Sequence, residues 1–181
     1  KEGYDFKLEM IGNGPLLEDM TNLVKKLGLQ ENINIIGALP ASQVRVHMEE
    51  SRIMICSSDQ YEGWGAVINE AMNSGCTVIA SHLVGSVPFL IEDGENGLVY
   101  KFASENDLYN KVKNLLDNKE YQNQLARNAY HTISDMWNPE NATSRLFSII
   151  QDMVEDNEID FYNDGPCSYA EVIKPRFRQK G

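Results

Sequence analysis

Two glutamates eight residues apart, Glu62 and Glu70, are the side chains whose spacing best suits chemistry on one ligand. Between them stands Gly63-Trp64-Gly65, at the predicted start of the helix that carries Glu70. Glycines let the backbone approach a ligand closely, and the first turn of a helix leaves several N–H groups without partners. Those donors and the helix dipole form a site for an anion such as a diphosphate. The pattern therefore predicts a phosphate-binding loop with a carboxylate toward each end of one ligand.

The elements around this loop place it at one edge of a sheet. The apolar run Ile53–Cys56 predicts a buried strand, and residues 66–74 predict a helix that Gly75 ends. In open α/β sheets, ligands bind beyond the carboxyl ends of the parallel strands. The loop after Cys56 is therefore predicted to be a ligand site.

Strands and helices alternate along the chain up to about residue 100. Alternating apolar and polar side chains predict a strand at residues 6–11, and short apolar runs predict strands at residues 33–36, 53–56, 77–80 and 98–100. Helical spacing predicts helices at residues 15–27 (with Pro15 in the first position), 42–50 and 66–74. Three more helices are predicted: one that begins at 104, one over 120–133 and one that begins at 139. Such alternation indicates a parallel sheet covered by helices, the doubly wound, Rossmann-like α/β class, followed here by carboxy-terminal helices.

The charge balance argues against a nucleic-acid-binding surface. The sequence has 27 acidic and 16 basic residues, a net charge of −11. Nucleic-acid binders need a basic face that neutralises phosphates. A nucleotide pocket stays possible, because backbone N–H groups can hold phosphates.

The cysteines indicate a reducing, cytoplasmic setting. Cys56 and Cys76 lie in or beside apolar strands, and Cys167 leaves the number odd. Neither a disulfide framework nor a zinc site follows from such spacing. No apolar run approaches the roughly 18 residues that a membrane span needs.

The carboxy-terminal part differs in composition from the rest. Residues 152–164 hold six acidic residues and no basic one, and four basic residues follow: Lys174, Arg176, Arg178 and Lys180. We therefore predict one domain over residues 1–154 and a partly disordered tail over 155–181. The basic end is interpreted as solvated, with contact to anionic lipid headgroups at the inner face of the membrane as the alternative.

The spacing of Glu62 and Glu70 around Gly-Trp-Gly resembles the signature of retaining family-4 glycosyltransferases of the GT-B fold. Four other segments follow in the order and spacing of that family: residues 11–15, 35–37, 69–80 and 94–99. The resemblance covers residues 6–118. It identifies the carboxy-terminal, donor-binding domain, and within the family it is similar to enzymes of capsular and cell-surface polysaccharides.

The resemblance implies a role for each matching residue. Glu62 would contact hydroxyls of the donor sugar and act as the catalytic residue, and Glu70 would bind the ribose of the nucleotide. Backbone of the glycine segment would hold sugar and diphosphate, and turns nearer the amino terminus would border the donor cleft and base pocket. The implied donor-binding residues are Gly12, Gly14, Leu39, Gly63, Trp64, Gly65, Ala66 and Glu70.

The implied reaction moves a sugar from a nucleoside diphosphate to a hydroxyl with retention at the anomeric carbon. It needs neither a cofactor nor an essential metal, and the sequence contains no Asp-x-Asp motif. The acceptor would belong to polysaccharide or glycolipid assembly.

The resemblance also implies partners outside this sequence. An amino-terminal acceptor-binding domain, the first strand and helix of the donor domain, and a basic pair that neutralises the diphosphate would all precede residue 1. This chain alone would then bind donor weakly and transfer nothing. Without that strand, we expect the sheet to be split or closed up between residues 8–11 and 53–56, or filled by a partner strand.

One departure from the family pattern and several alternatives stay open. Phe89 follows Pro88 where the family has a glutamate, which removes any polar role there. A nucleotide-sugar epimerase of the same fold and a non-catalytic nucleotide-sugar-binding module are the alternatives. A nicotinamide dehydrogenase is disfavoured, because the first glycine turn lacks the third glycine of that fingerprint. His82 is interpreted as a surface or locally bonded histidine rather than a cleft residue.

Overall fold

The computed structural model describes residues 3–159 and 161–169. The basic end of the chain, from Lys174 onward, lies outside the described residues. Within them no helix has the length and apolar character needed to cross a membrane.

The described residues form five strands, seven α-helices and one π-helical turn. The strands are β1 Leu8–Ile11, β2 Ile33–Gly37, β3 Ile53–Cys56, β4 Thr77–Ser81 and β5 Leu98–Tyr100. The helices are α1 Leu17–Leu27, α2 Ala41–Glu50, α3 Ala66–Asn73, α4 Val87–Leu90, α5 Glu105–Asp117, α6 Lys119–His131 and α7 Pro139–Val154, with the π-helical turn at Thr132–Met136. Each predicted strand is present, and every pairing between them is parallel. The predicted α/β class is confirmed.

The chain divides between His47 and Met48 into two compact units, so the predicted domain contains both. In the first unit, β1 pairs with β2 from Leu8 opposite Ile33 to Ile11 opposite Gly37. In the second, β4 lies between β3 and β5. The strands thus form two sheets, and a split sheet was one of the expected outcomes.

Two helix boundaries differ from the predictions by two residues, the others agree to within one residue, and α4 was not predicted. Pro15 was predicted at the first helical position, but it lies in a turn, because the Leu17 N–H already bonds to the Gly14 carbonyl at 3.2 Å and α1 begins only at Leu17. The helix predicted over 120–133 ends at His131 and continues as the π-helical turn.

The core of the second unit forms around β4, whose residues are all buried. Ile79 packs with Leu98, Tyr100, Leu115 and Leu125, from β5, α5 and α6. The middle strand therefore provides a rigid support for the loops at the carboxyl ends of its neighbours.

A buried polar network ties α6 to the sheet. The Thr77 hydroxyl donates to the Gln122 carbonyl at 2.7 Å, and the Gln122 amide donates to Thr77 Oγ1 at 2.9 Å and to the Arg52 carbonyl at 3.2 Å. Both side chains are almost fully buried. Because the Thr77 hydroxyl and the Gln122 side-chain nitrogen have partners, their burial costs less, and the network helps to set how α6 sits on β4.

The residues after α7 fold back onto that helix. Arg145 places its guanidinium 4.2 Å from the centre of the Tyr162 ring and donates to the Pro166 carbonyl at 3.1 Å. Tyr162 and Pro166, which lie at and just beyond the end of the acidic segment, are therefore held by a cation that α7 supplies.

Candidate functional site

An open pocket of about 470 Å³ lies beyond the carboxyl end of β3. Five of its lining residues belong to the loop 57–65, and the sixth follows β5. These residues are Ser57, Ser58, Asp59, Tyr61, Glu62 and Phe102. The structure thus places Glu62 in a pocket at the sheet edge where the sequence predicted a ligand site.

Glu62 is exposed, and its carboxylate is only loosely held. The Ser58 hydroxyl donates to Glu62 Oε2 at 3.5 Å, the upper limit for such a bond. The loop itself turns on Asp59, whose carboxylate accepts from the Tyr61 N–H at 2.9 Å and whose carbonyl accepts from the Glu62 N–H at 3.2 Å. This arrangement leaves carboxylate lone pairs of Glu62 available to the hydroxyls of a ligand.

Cys56 lies beneath this loop at the end of β3 and is buried. Burial raises the pKa of its thiol, hydrogen bonds with Ser58 oppose that rise, and the charge of Glu62 adds to it. A neutral thiol is a poor nucleophile, so Cys56 is a core residue rather than a reactive one. Cys76 is also buried, and desolvation raises its pKa to about 11. The predicted core placement of both thiols is confirmed, and Cys167 is free as well.

Gly65 forms the cap of α3 in the left-handed conformation, with φ 75°. A β-carbon there would lie 2.5 Å from Val84 Cγ1, so the position needs glycine for both backbone and space. A glycine cap supplies no side-chain acceptor to the first turn. The Ile68 N–H donates to the Gly65 carbonyl at 2.9 Å. N–H groups in the first turn of a helix that lack such a partner are the kind of donor that binds anions.

A second segment, between β4 and α4, packs directly against the glycine segment. The Ser86 N–H donates to the Trp64 carbonyl at 2.9 Å. A β-carbon on Gly85 would lie 1.8 Å from the Gly63 carbonyl oxygen. Gly85 was not among the predicted site residues; the signal available in the sequence was a glycine three residues before Pro88.

Glu70 lies one turn into α3, is exposed, and does not line the pocket that contains Glu62. The structure therefore does not place the two carboxylates in one cavity. Their joint action on the two ends of an extended ligand stays a prediction.

The remaining predicted donor residues, Gly12, Gly14 and Leu39, belong to the first unit. Gly12 follows the carboxyl end of β1, and Leu39 follows that of β2. The Gly12 N–H donates to the Gly37 carbonyl at 2.9 Å and so links the two strand ends. Gly14 donates to Asn13 Oδ1 at 2.9 Å, a tight-turn contact. The structure thus places these three residues at one edge of the two-stranded sheet.

His82, directly after β4, orients Phe102, the pocket residue that sequence analysis missed. The Phe102 N–H donates to His82 Nδ1 at 3.0 Å, and the His82 N–H donates to the Tyr100 carbonyl at 3.0 Å. Burial lowers the pKa of His82, a hydrogen bond to the Tyr100 backbone opposes this, and the Lys101 charge adds to it. His82 Nδ1 accepts the Phe102 N–H, which confirms the interpretation of a locally bonded histidine.

Among residues 3–159 and 161–169, no cluster of three or more His, Cys, Asp or Glu side chains could hold a metal ion. The described site consists of a carboxylate, backbone donors at a helix start and an aromatic wall.

A protein-family comparison agrees with this geometry. The model of the family described as "Glycosyl transferases group 1" matches residues 1–132. That match covers well over half of the chain.

Two curated relatives are similar over most of this sequence. An uncharacterized glycosyltransferase of Methanocaldococcus jannaschii is 32% identical over 68% of this chain and 34% of its own length. An alpha-D-kanosaminyltransferase of Streptomyces kanamyceticus is 30% identical over 71% of this chain and 33% of its own length. The chain thus spans about a third of the length of these relatives.

A solved structure shows the same fold. The C-terminal domain of the glycosyl transferase group 1 family protein LpcC from Francisella tularensis superposes with a TM-score of 0.61 at 28% identity. The match covers 65% of this chain and 60% of that one.

Proposed function

Because the chain belongs to the glycosyl transferases group 1 family, we propose that it is the donor-binding part of a retaining glycosyltransferase. The enzyme moves a sugar from a nucleoside-diphosphate sugar to a hydroxyl of a polysaccharide or glycolipid acceptor. The observation that carries this proposal is the position of Glu62, which lies in an open pocket three residues before Gly65, the glycine cap of α3.

The start of α3 binds the diphosphate in this proposal. Backbone donors that follow Gly65 and the positive end of the helix dipole stabilise the negative charge. That charge grows as the sugar leaves, so the same donors stabilise the transition state more than the ground state.

Glu62 binds the sugar. Its exposed carboxylate accepts hydrogen bonds from ring hydroxyls and places the anomeric carbon for attack by the acceptor. Glu70, farther along α3, accepts from the hydroxyls of the ribose. The predicted role of Gly12, Gly14 and Leu39 in base binding concerns the first unit by itself and stays a prediction.

We further propose that an amino-terminal domain of the full-length protein binds the acceptor. The relatives are about three times as long as the matched segment, which leaves room for such a domain in them. The free thiols support a reducing compartment, and we place the reaction on the cytoplasmic side, with association at the inner face of the membrane as a further proposal.

The direct test uses the full-length protein with UDP-, GDP- and ADP-sugars. Calorimetry should find one base that binds, and NMR of the product should show an anomeric configuration equal to that of the donor. Transfer should persist in EDTA, because helix donors and basic side chains do the work of a cation. Binding without transfer would favour the non-catalytic module, and conversion of the donor sugar to its epimer would favour the epimerase.

A further inference from the structure

Three aromatic rings from three separate segments pack together beside the glycine loop. The Trp64 ring stacks on Phe89 of α4 with centroids 5.6 Å apart and an interplanar angle of 30°. Trp137, which follows the π-helical turn, lies 5.8 Å from Trp64 and 6.5 Å from Phe89. Both tryptophans of the sequence therefore belong to this aromatic cluster.

Trp64 is held at three of its groups. Its indole N–H donates to Asn69 Oδ1 in α3 at 2.8 Å, and its carbonyl accepts from the Ser86 N–H. Its ring faces Phe89, three residues beyond Ser86. The segment 85–89 thus contacts both the backbone and the side chain of Trp64.

We propose that the rings of Trp64 and Phe89 are positioning residues that fix the loop carrying Glu62 and the Gly65 cap. The predicted effect on kcat rests on the proposed function, whereas the predicted effect on the position of the loop does not. Glu62 lies two residues before Trp64, and among the described residues its carboxylate has one loose contact, to Ser58, so the position of the loop backbone decides where the carboxylate lies. On the side of the loop toward α3, the indole ring and its bond to Asn69 hold that backbone.

Phe89 stands where the family resemblance expects a glutamate, and the cluster gives that departure a physical role. The face of an indole ring carries negative charge density, so a carboxylate at residue 89 would be repelled where a phenyl ring stacks. Trp64 and Phe89 are 40% and 43% exposed. Because neither ring lies in the core, we expect the packing of Trp64 on Phe89 to affect the position of the loop more than the free energy of unfolding.

The test compares four variants of the full-length protein: Phe89→Leu, Phe89→Tyr, Trp64→Leu and Tyr130→Leu. Tyr130 is a matched control, since it is a half-exposed ring on α6 that pairs with the ring of His131. Phe89→Leu should raise the amide hydrogen-exchange rates of residues 57–66 by about threefold to tenfold, as expected for loss of one aromatic pair. It should lower kcat by a similar factor and change the affinity for the nucleoside diphosphate less.

Phe89→Tyr keeps the ring and should restore both readouts to parent values, whereas Tyr130→Leu should leave the loop unchanged. Trp64→Leu should raise the exchange rates of the loop and lower kcat more than Phe89→Leu does. If Trp64→Leu does not fold, Phe89→Leu alone provides the test. Unchanged loop exchange in folded Phe89→Leu, or an equal rise in Tyr130→Leu, overturns the inference. If loop exchange rises but the parent protein transfers no sugar, the positioning role stands and the proposed function fails.

Discussion

A β-carbon placed on Gly85 would lie 1.8 Å from the carbonyl oxygen of Gly63. The obstacle is backbone, which cannot rotate away as the end of a side chain could. The two segments fit together only because residue 85 has no side chain. A residue after β4 therefore helps to shape the loop after β3 that carries Glu62.

Gly85→Ala should displace that loop and lower sugar transfer by about 10²-fold, the order that a misplacement of about 1 Å costs. Overpacking should also lower the free energy of unfolding by about 1–3 kcal/mol. Steady-state kinetics and thermal unfolding of the full-length protein measure the two effects.

Gly75→Ala is the control for that substitution. Gly75 has φ 84° with open space around it, so alanine strains the backbone without a collision. The free energy of unfolding should fall by about 1–2 kcal/mol while kcat stays near the parent value. Equal losses of kcat in both variants would show that Gly85 acts through general stability alone.

Glu62→Gln should lower kcat by about 10²-fold, because a carboxylate that holds the reacting sugar acts where charge develops. Affinity for the free nucleoside diphosphate should change much less, since that ligand lacks the sugar. Glu120→Gln, an exposed glutamate in the first turn of α6, is the matched control. Normal turnover in Glu62→Gln would remove the residue from the catalytic site.

Glu70→Ala should weaken nucleotide binding by about 1.5 kcal/mol, the low end for a hydrogen bond to a charged group, because Glu70 is exposed. The loss should appear equally with the free nucleoside diphosphate and with the nucleotide sugar. Calorimetry on parent and variant measures it. Equal affinities would exclude a ribose contact.

His82 should make stability depend on pH. Folding lowers the pKa of His82 below its ordinary value of 6.5, mainly because the ring is partly buried. At a pH between the folded pKa and 6.5, the unfolded chain therefore binds more protons than the folded one. The free energy of unfolding should therefore fall as the pH drops below about 6.5, toward the folded pKa. Asparagine can accept the Phe102 N–H but does not titrate, so His82→Asn should lack this contribution. Denaturant unfolding of the parent protein and of His82→Asn at about pH 7.5 and about pH 5.5 measures the difference. An identical pH dependence in the two proteins would show that His82 does not cause it.

Much of the local structure followed from patterns that span a few residues. Alternation predicted β1, and apolar runs predicted the other four strands, with β3 and β5 at their observed bounds, because a buried parallel strand needs continuous apolar side chains. Caps were equally local: Ser104 accepts from the Asp107 N–H at 3.3 Å at the predicted start of α5. The π-helical turn after His131 carries no such pattern and was missed.

The site divides in the same way between sequence and tertiary structure. The sequence by itself determined that Glu62 stands in a loop beyond a strand end, before a glycine-capped helix, because strand, glycine and helix are all set by near neighbours. Only the tertiary structure decided that Gly85 meets Gly63, that Phe89 and Trp137 stack on Trp64, and that His82 orients Phe102. These contacts join residues far apart in the chain, and they depend on how whole elements pack on β4, which no local periodicity encodes.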